Sequence, residues 1–267
     1  MRDDTTSRYR VALIGDIHGN LPALEAVLAH ADAAGGVDAI YNVGDSIGYG
    51  PFPSEVLELL RARGAISILG NIDRKVLRFP DREDLWRAKK RPEKFAVLEW
   101  AWEVLSADAK AYVEGLPTTR RLEVAGYTLL LCHGSPESLT ESLFPDTPAS
   151  RLRELAWLAE ADCILCGHSH ESFSREIDNT WFVNPGSVGR QNDGDPRARY
   201  ALLDLTPGEI RSRQFVVDYD IQRVVDEIHR QDLPPAIAEM FTQGRRLKWV
   251  LEEGEPSAHS LEALKRR

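Results

Sequence analysis

The chain has 267 residues, 43% of them hydrophobic, which is enough to bury a large core within one enlarged domain. Its net charge of −9 argues against nonspecific binding to nucleic acid, which depends on clustered Lys and Arg. No apolar run approaches the roughly 18 residues of a membrane helix, and residues 1–10 are too polar for a signal peptide. We therefore expect a cytoplasmic protein with no membrane partner and no stable nucleic-acid complex, and we leave homo-oligomerisation open.

Five short apolar runs predict buried strands, and a tight turn follows each of them. The runs cover residues 11–14, 39–43, 65–69, 128–131 and 163–166. A helix is expected to begin near Asn20 and to end at Gly35 and Gly36, and a second helix is expected over residues 54–63. Strands and helices thus alternate in the first part of the chain, as in parallel α/β proteins.

The remaining segments predict a helical insert, further strands and a helical extension. Residues 76–116 form a charged insert that is either a lid or a segment whose tryptophans pack onto the core, and packing is favoured. Ser106 is expected to cap a helix in this insert. We divide the chain into a flexible segment (1–9), a main domain (10–218) and a helical C-terminal extension (219–267).

The five turns carry residues that commonly bind metal ions. They read GDIHGN, GDSIG, GNID, CHGSP and GHSH. The carboxyl ends of strands in an open α/β sheet lie together, so side chains in these turns are expected to converge. Any one of the histidines alone is more often structural, but the ordered set predicts a metal site. The candidate ligands are Asp16, His18, Asp45, Asn71, His133, His168 and His170.

The three cysteines are predicted to be packing residues. Cys163 and Cys166 form a C-x-x-C pair, but this pair lies inside an apolar strand, where neither a redox motif nor a zinc site is expected. Free cysteine is among the most buried residue types, which favours core packing for Cys132 as well. The low, odd count also argues against a disulfide framework.

The ordered turns resemble those of the calcineurin-like metallophosphoesterase superfamily, over roughly residues 10–205. The family pattern is D-x-H, GD, GN, GH and GHxH, and Cys132 here replaces the glycine of the fourth element. The resemblance implies an α/β (α+β) fold, a four-layer αββα sandwich of two mixed β-sheets flanked by helices, with metals at one edge. It also implies two metal ions, one bound by Asp16, His18 and His170, the other by Asn71, His133 and His168, with Asp45 bridging them.

The donor types and the resemblance together predict the chemistry. Oxygen and imidazole ligands without thiolate favour divalent manganese, iron, nickel, zinc or cobalt over a closed cysteine site for zinc. The resemblance implies a hydrolase that acts on phosphoric esters of small molecules. A hydroxide held between two such cations can attack phosphorus directly, so no covalent enzyme intermediate is needed.

One departure from the family pattern bears on the substrate. Many members have a histidine, credited with protonating the leaving group, at the position of Ile72, and isoleucine cannot donate a proton. By resemblance, we therefore expect phosphodiesters, including nucleotide-like ones, to be hydrolysed in preference to alkyl monoesters. The alternatives are a phosphomonoesterase, such as a protein or nucleotide phosphatase, and a noncatalytic metal-binding scaffold.

We assign Asn71 and Asp73 as catalytic candidates. Asp73 could orient a water molecule, or it could cap the turn that follows Asn71. Arg74 and Lys75 could reach a substrate phosphate or form a solvated surface pair. Two residues of a later loop, Ser187 and Arg190, could also contact phosphate, but structural roles are favoured for them.

Overall fold

The computed structural model of the chain describes residues 8–252. Most of the predicted flexible segment 1–9 and the end of the predicted C-terminal extension therefore lie outside the described residues. The division into a main domain and an extension stays a prediction.

The described strands form two mixed sheets of five strands each. The first sheet has the order β10-β9-β1-β2-β3, and the second has the order β4-β5-β6-β8-β7. In the first, β1, β2 and β3 are parallel, and in the second β5, β6 and β8 are parallel. The bounds are β1 Tyr9–Ile14, β2 Ala39–Asn42, β3 Ile66–Ser67, β4 Thr119–Val124, β5 Tyr127–Cys132, β6 Cys163–Leu165, β7 Phe173–Ile177, β8 Thr180–Asn184, β9 Ala198–Thr206 and β10 Glu209–Val217.

Helices connect and cover these strands. Among residues 8–252, none of them is long and apolar enough to cross a membrane. Asn20 caps the first helix, since its side chain accepts a hydrogen bond from the Ala23 amide. Their bounds are α1 Leu21–Ala33, α2 Pro53–Ala62, α3 Asn71–Leu77, α4 Phe79–Lys89, α5 Pro92–Val104, α6 Ala107–Glu114, α7 Ala149–Ala159, α8 Ile221–Arg230, α9 Pro235–Gln243 and α10 Leu247–Leu251.

The alternation of side chains along the strands creates separate cores on the two faces of each sheet. In β1, Leu13 belongs to a buried cluster that it shares with Leu131 of β5, so this cluster lies between the sheets. Its neighbour Ile14 belongs to another cluster, which includes Leu24 of α1. On the outer face of the second sheet, residues of β6 and β8 pack against α7. The layers are thus helix, sheet, sheet, helix, and the predicted αββα sandwich is confirmed.

The insert at residues 76–116 is helical, as predicted, and comprises the end of α3 together with α4, α5 and α6. Ser106 caps α6 by accepting a hydrogen bond from the Ala109 amide. Trp86, Trp100 and Trp102 are partly buried against the same cluster that holds α1. The favoured packing role of these tryptophans is therefore confirmed.

Some boundaries and elements differ from the sequence-based prediction. The first helix ends at Ala33, before the two glycines, and the third strand has two residues instead of the expected five. Strands β4 and β7 were not predicted because they lie at the edges of the second sheet and lack a continuous apolar run. The GNID turn opens a short helix, α3, whose seven residues carry no clear helical pattern.

A partly buried ion pair joins the first sheet to the end of α1. Arg10 Nε and Nη2 donate to the two carboxylate oxygens of Asp204 at 2.6 and 3.1 Å, and Arg10 Nη1 donates to the Ala34 carbonyl at 2.9 Å. Arg10 lowers the pKa of the Asp204 carboxyl, although partial burial opposes this effect. The ionised carboxylate therefore stabilises the folded state.

Replacing Asp204 with Asn should lower the free energy of unfolding at pH 7 by about 1.5–3 kcal/mol, because a charged hydrogen bond is lost. Since the folded pKa lies below the usual 3.8, this contribution is complete above that value and is lost as the pH falls through the folded pKa. Urea denaturation at pH 7 and near pH 3 should show the difference between variant and wild type shrinking in acid. Asp108→Asn, in an exposed pair with Arg61, is the matched control and should change stability by less than about 0.5 kcal/mol. A constant difference across pH would contradict this account.

Candidate metal centre

The candidate ligands follow the carboxyl ends of parallel strands from both sheets. Three of the turns follow β1, β2 and β3, and two follow β5 and β6. All of these side chains except His168 are buried, and His168 is partly buried. By position, Asp16 and His18 follow β1, Asp45 follows β2, Asn71 begins α3, His133 follows β5, and His168 and His170 follow β6.

The structure brings all seven side chains together. On one side, Asp16 Oδ1 lies 3.2 Å from His170 Nε2 and 3.8 Å from His18 Nε2, and the two imidazole Nε2 atoms are 3.3 Å apart. On the other side, His133 Nε2 lies 3.4 Å from Asp45 Oδ2 and 3.0 Å from Oδ1 of Asn71. That same atom is 2.9 Å from Nδ1 of His168.

Two groups in this cluster have the spacing of cation sites. The ligand atoms of Asp16, His18 and His170 all lie within 4.8 Å of one another, as do those of Asp16, Asp45 and His133. The first group coincides with the set that the resemblance implies for one metal. In the second group, Asp16 occurs in addition to residues expected at the other metal.

Backbone strain is concentrated at the same residues. A positive φ is uncommon for residues other than glycine and costs free energy that the surrounding structure must offset. Hydrogen bonds between the turns hold these conformations: the Asp16 amide donates to Gly44 O, and the His18 amide donates to Asp45 O, both at 2.9 Å. Five of the seven candidates have φ between 51° and 66°: Asp16, His18, Asp45, His168 and His170.

Two histidines are oriented by carbonyl groups behind them. Nδ1 of His133 donates to the Val43 carbonyl at 2.7 Å, and Nδ1 of His170 donates to the Arg190 carbonyl. These bonds leave Nε2 of each ring facing the aspartates. Histidines that bind metals typically use the other ring nitrogen in this way.

The charges in the cluster are tightly coupled. Burial would raise the pKa of the Asp16 and Asp45 carboxyls, but neighbouring imidazoles, chiefly His170 and His133 respectively, lower both pKa values to about 2. Burial keeps the pKa of His18 well below its usual value, whereas Asp45 overcomes the effect of burial and raises the pKa of His133 to about 9. Because a metal ion would need an unprotonated Nε2, cation binding and protonation compete at His133.

The donor set fits divalent cations. Asp16 Oδ1 is buried and accepts no hydrogen bond, even though His170 is near. Oδ1 of Asn71 lies 3.2 Å from Asp45 Oδ2 and also faces an imidazole nitrogen of His133 and one of His168. An oxygen in this place faces only acceptors, and a bound cation would satisfy it. Exchanging the oxygen and nitrogen positions of the Asn71 amide also satisfies the amide without a cation, because its oxygen then accepts a hydrogen bond from Lys75 Nζ at 2.9 Å.

Asp73 and Ile72 lie beneath this cluster. The Asp73 carboxylate is fully buried and accepts hydrogen bonds from the amides of Asp45, Ile47 and Gly70 at 2.9–3.0 Å. These contacts favour capping over the orientation of a water molecule. Ile72 donates its amide to Asp45 Oδ1 at 2.6 Å while its side chain is buried in the core, so no proton donor stands at that position.

Other polar residues flagged in the sequence divide into structural and site-facing groups. Ser187 is buried and donates to the Asp16 carbonyl, which agrees with the favoured structural role. Lys75 reaches the Asn71 amide, and Arg190 lies over the ring of Tyr49. Sequence analysis missed Tyr49, whose ring is 5.4 Å from that of His18 and whose only local signal is its place between two glycines.

The three cysteines are free and buried, as predicted. Cys163 faces the cluster between the sheets, and Cys132 and Cys166 face the cluster beneath α7. Burial raises the pKa of the Cys166 thiol to about 12, which disfavours a reactive thiolate.

Comparison with known proteins identifies the family. The model of the calcineurin-like phosphoesterase superfamily domain matches residues 9–208, and the chain belongs to this superfamily of metal-dependent phosphoester hydrolases. An uncharacterized protein of Methanocaldococcus jannaschii is 31% identical over 252 residues, which cover 88% of this chain and 98% of the relative. The phosphodiesterase YfcE of Escherichia coli K12 is 26% identical over 212 residues, 73% of this chain and 87% of YfcE. A crystal structure of a metallophosphoesterase from Sphaerobacter thermophilus has a TM-score of 0.70 at 28% identity, covering 88% of this chain and 99% of that one.

Proposed function

We propose that this chain is a dinuclear metal-dependent phosphodiesterase. The observation that carries the proposal is the position of Asp45, whose Oδ2 lies 3.8 Å from His18 Nε2 in one group of ligands and 3.4 Å from His133 Nε2 in the other. A carboxylate placed between two groups of ligands is suited to bridge two cations. Manganese, iron, nickel, zinc and cobalt all fit this oxygen and nitrogen donor set.

When bound, two divalent cations would supply an acidified water as nucleophile and would stabilise charge on the phosphoryl oxygens. The chain's own residues would hold the site in shape. Asp73 ties the Asp45 turn to the start of α3 through three backbone amides, so it acts as a positioning residue. Asn71, at the first position of that helix, directs its amide into the cluster as a candidate ligand.

The preference for diesters rests on the side chain at position 72. Ile72 is buried against Gly48 and presents no proton donor to a leaving group. A general acid typically contributes about 10²–10⁴-fold, so poor leaving groups should suffer most without one. The similarity to a relative named as a phosphodiesterase points in the same direction.

Bis(p-nitrophenyl) phosphate and p-nitrophenyl phosphate share a leaving group and therefore provide a matched test. With manganese added, we expect kcat/KM for the diester to exceed that for the monoester. A clear monoester preference would instead support the phosphomonoesterase alternative. If the chain holds two metal ions and hydrolyses neither substrate, the noncatalytic scaffold would be supported.

A further inference from the structure

Beside the candidate metal centre, two cations lie against one buried tyrosine and a third contacts a candidate ligand. Tyr49 is only 4% exposed and adopts φ 70°, a strained conformation for a residue other than glycine. The Arg190 guanidinium lies 4.5 Å from the centre of its ring, and Lys94 Nζ lies 6.0 Å from it. Since the same ring contacts His18 edge-on, Tyr49 connects the cations to the metal ligands.

The third cation is Lys75, one turn along α3 from Asn71. Its Nζ is 2.9 Å from the Asn71 amide atom that points away from the imidazoles, which is the oxygen when the amide is rotated. All three cations thus lie beside the candidate metal centre, Lys75 through Asn71 and the other two through Tyr49. Arg190 Nε is also buried without a hydrogen-bond partner.

This arrangement contrasts with the charge of the whole chain. With a net charge of −9, the protein has no general excess of cations, so their concentration beside the site requires a local reason. Repulsion between like charges costs free energy, which a bound anion offsets. A guanidinium stacked on an aromatic ring keeps its N–H donors available at its edge, and such donors match phosphate oxygens well.

The size of the cluster indicates what kind of anion it fits. It consists of three partly buried cations, whereas nucleic acid requires an extended basic surface. Lys75 stands directly behind a candidate metal ligand, so an anion that it contacts would be adjacent to the phosphoryl group at the metals. A second phosphate, linked to the first, meets both conditions.

We propose that Lys94 and Arg190 against Tyr49, together with Lys75 beside Asn71, bind a second phosphate group, so that the chain prefers substrates with at least two linked phosphates. The proposal rests on the proposed function, because the metal centre has to hold the first phosphate. It assigns part of the specificity to the insert, through Lys94 of α5.

The test uses inorganic pyrophosphate and orthophosphate as probes of the full-length, manganese-loaded chain, with bound manganese measured after each titration. By calorimetry, we expect wild type to bind pyrophosphate at least tenfold more tightly than orthophosphate. Lys94→Gln should weaken pyrophosphate binding at least about fivefold, as expected for loss of a charged contact, and should weaken orthophosphate binding less. Lys89→Gln removes an exposed charge from the neighbouring helix α4 and should change neither affinity by more than twofold.

Equal affinities of wild type for the two anions, or equal losses in both variants, would overturn the second phosphate site. Hydrolysis of bis(p-nitrophenyl) phosphate, which has a single phosphate, tests the proposed function separately. Diester hydrolysis without a preference for pyrophosphate would therefore reject only the second site. A preference for pyrophosphate that Lys94→Gln leaves intact would show that the metals alone produce it, which also rejects the role of the cations.

Discussion

Asp45→Asn is expected to lower kcat/KM for an aryl phosphodiester by at least about 10²–10³-fold, the range that follows loss of one preorganised electrostatic group. The substitution keeps the shape of the side chain but removes the charge that faces both groups of ligands. We also expect the variant to retain fewer metal ions than the wild type, which should bind two. Elemental analysis after removal of free metal measures this directly.

The matched control is Asp84→Asn, which makes the same change on the exposed face of α4. This variant should keep both the metal content and the activity of the wild type. If Asp45→Asn retained two ions and full hydrolysis, the proposed centre would be wrong. Circular dichroism of both variants separates loss of metal from loss of fold.

Gly70→Ala is expected to disrupt the centre without replacing a candidate ligand. A Cβ at this position would lie 2.1 Å from both the Asp45 amide nitrogen and Asp45 Oδ1, so the turns after β2 and β3 would have to separate. Gly70 has φ −92° and ψ 174°, which any residue can adopt, and the effect is therefore purely steric. We expect a loss of about 1–3 kcal/mol in the free energy of unfolding, together with reduced metal content.

Gly115→Ala provides the control for this prediction. Gly115 also has a negative φ, and a Cβ there would make only ordinary contacts at 3.5 Å. Denaturant unfolding and metal analysis should show little change in this variant. Wild-type metal content and stability in Gly70→Ala would show that the two turns are not constrained as the structure indicates.

The sequence could predict the candidate ligands because each depends on local features. An apolar run, a glycine and a carboxylate, amide or imidazole follow one another within a few residues, as in the turn that contains Asp45. The parallel strands were predicted for the same reason, since a strand buried on both faces is apolar throughout. The edge strand β4, in which four of six residues are exposed and two are partly buried, offers no such run.

Roles that depend on partners distant in sequence could not be read in this way. Asp73 caps amides from two turns, one of them 28 residues away, and its own neighbours do not reveal those donors. Lys94 lies near the start of α5, and the sequence of this helix gives no sign that the Lys94 ammonium lies over the Tyr49 ring. Such contacts arise only when the insert packs against the first sheet's outer core.

The sequence by itself determined which donor atoms are available and that each follows a buried strand, because these properties are local and ordered along the chain. Only the tertiary structure decided that the two sheets present their turns to a common point, where His133 meets Asp45 across 88 residues of chain. It also decided that Lys94 and Arg190 lie against Tyr49. The physical reason is that packing between sheets and helices, rather than any local preference, fixes the distance between such remote segments.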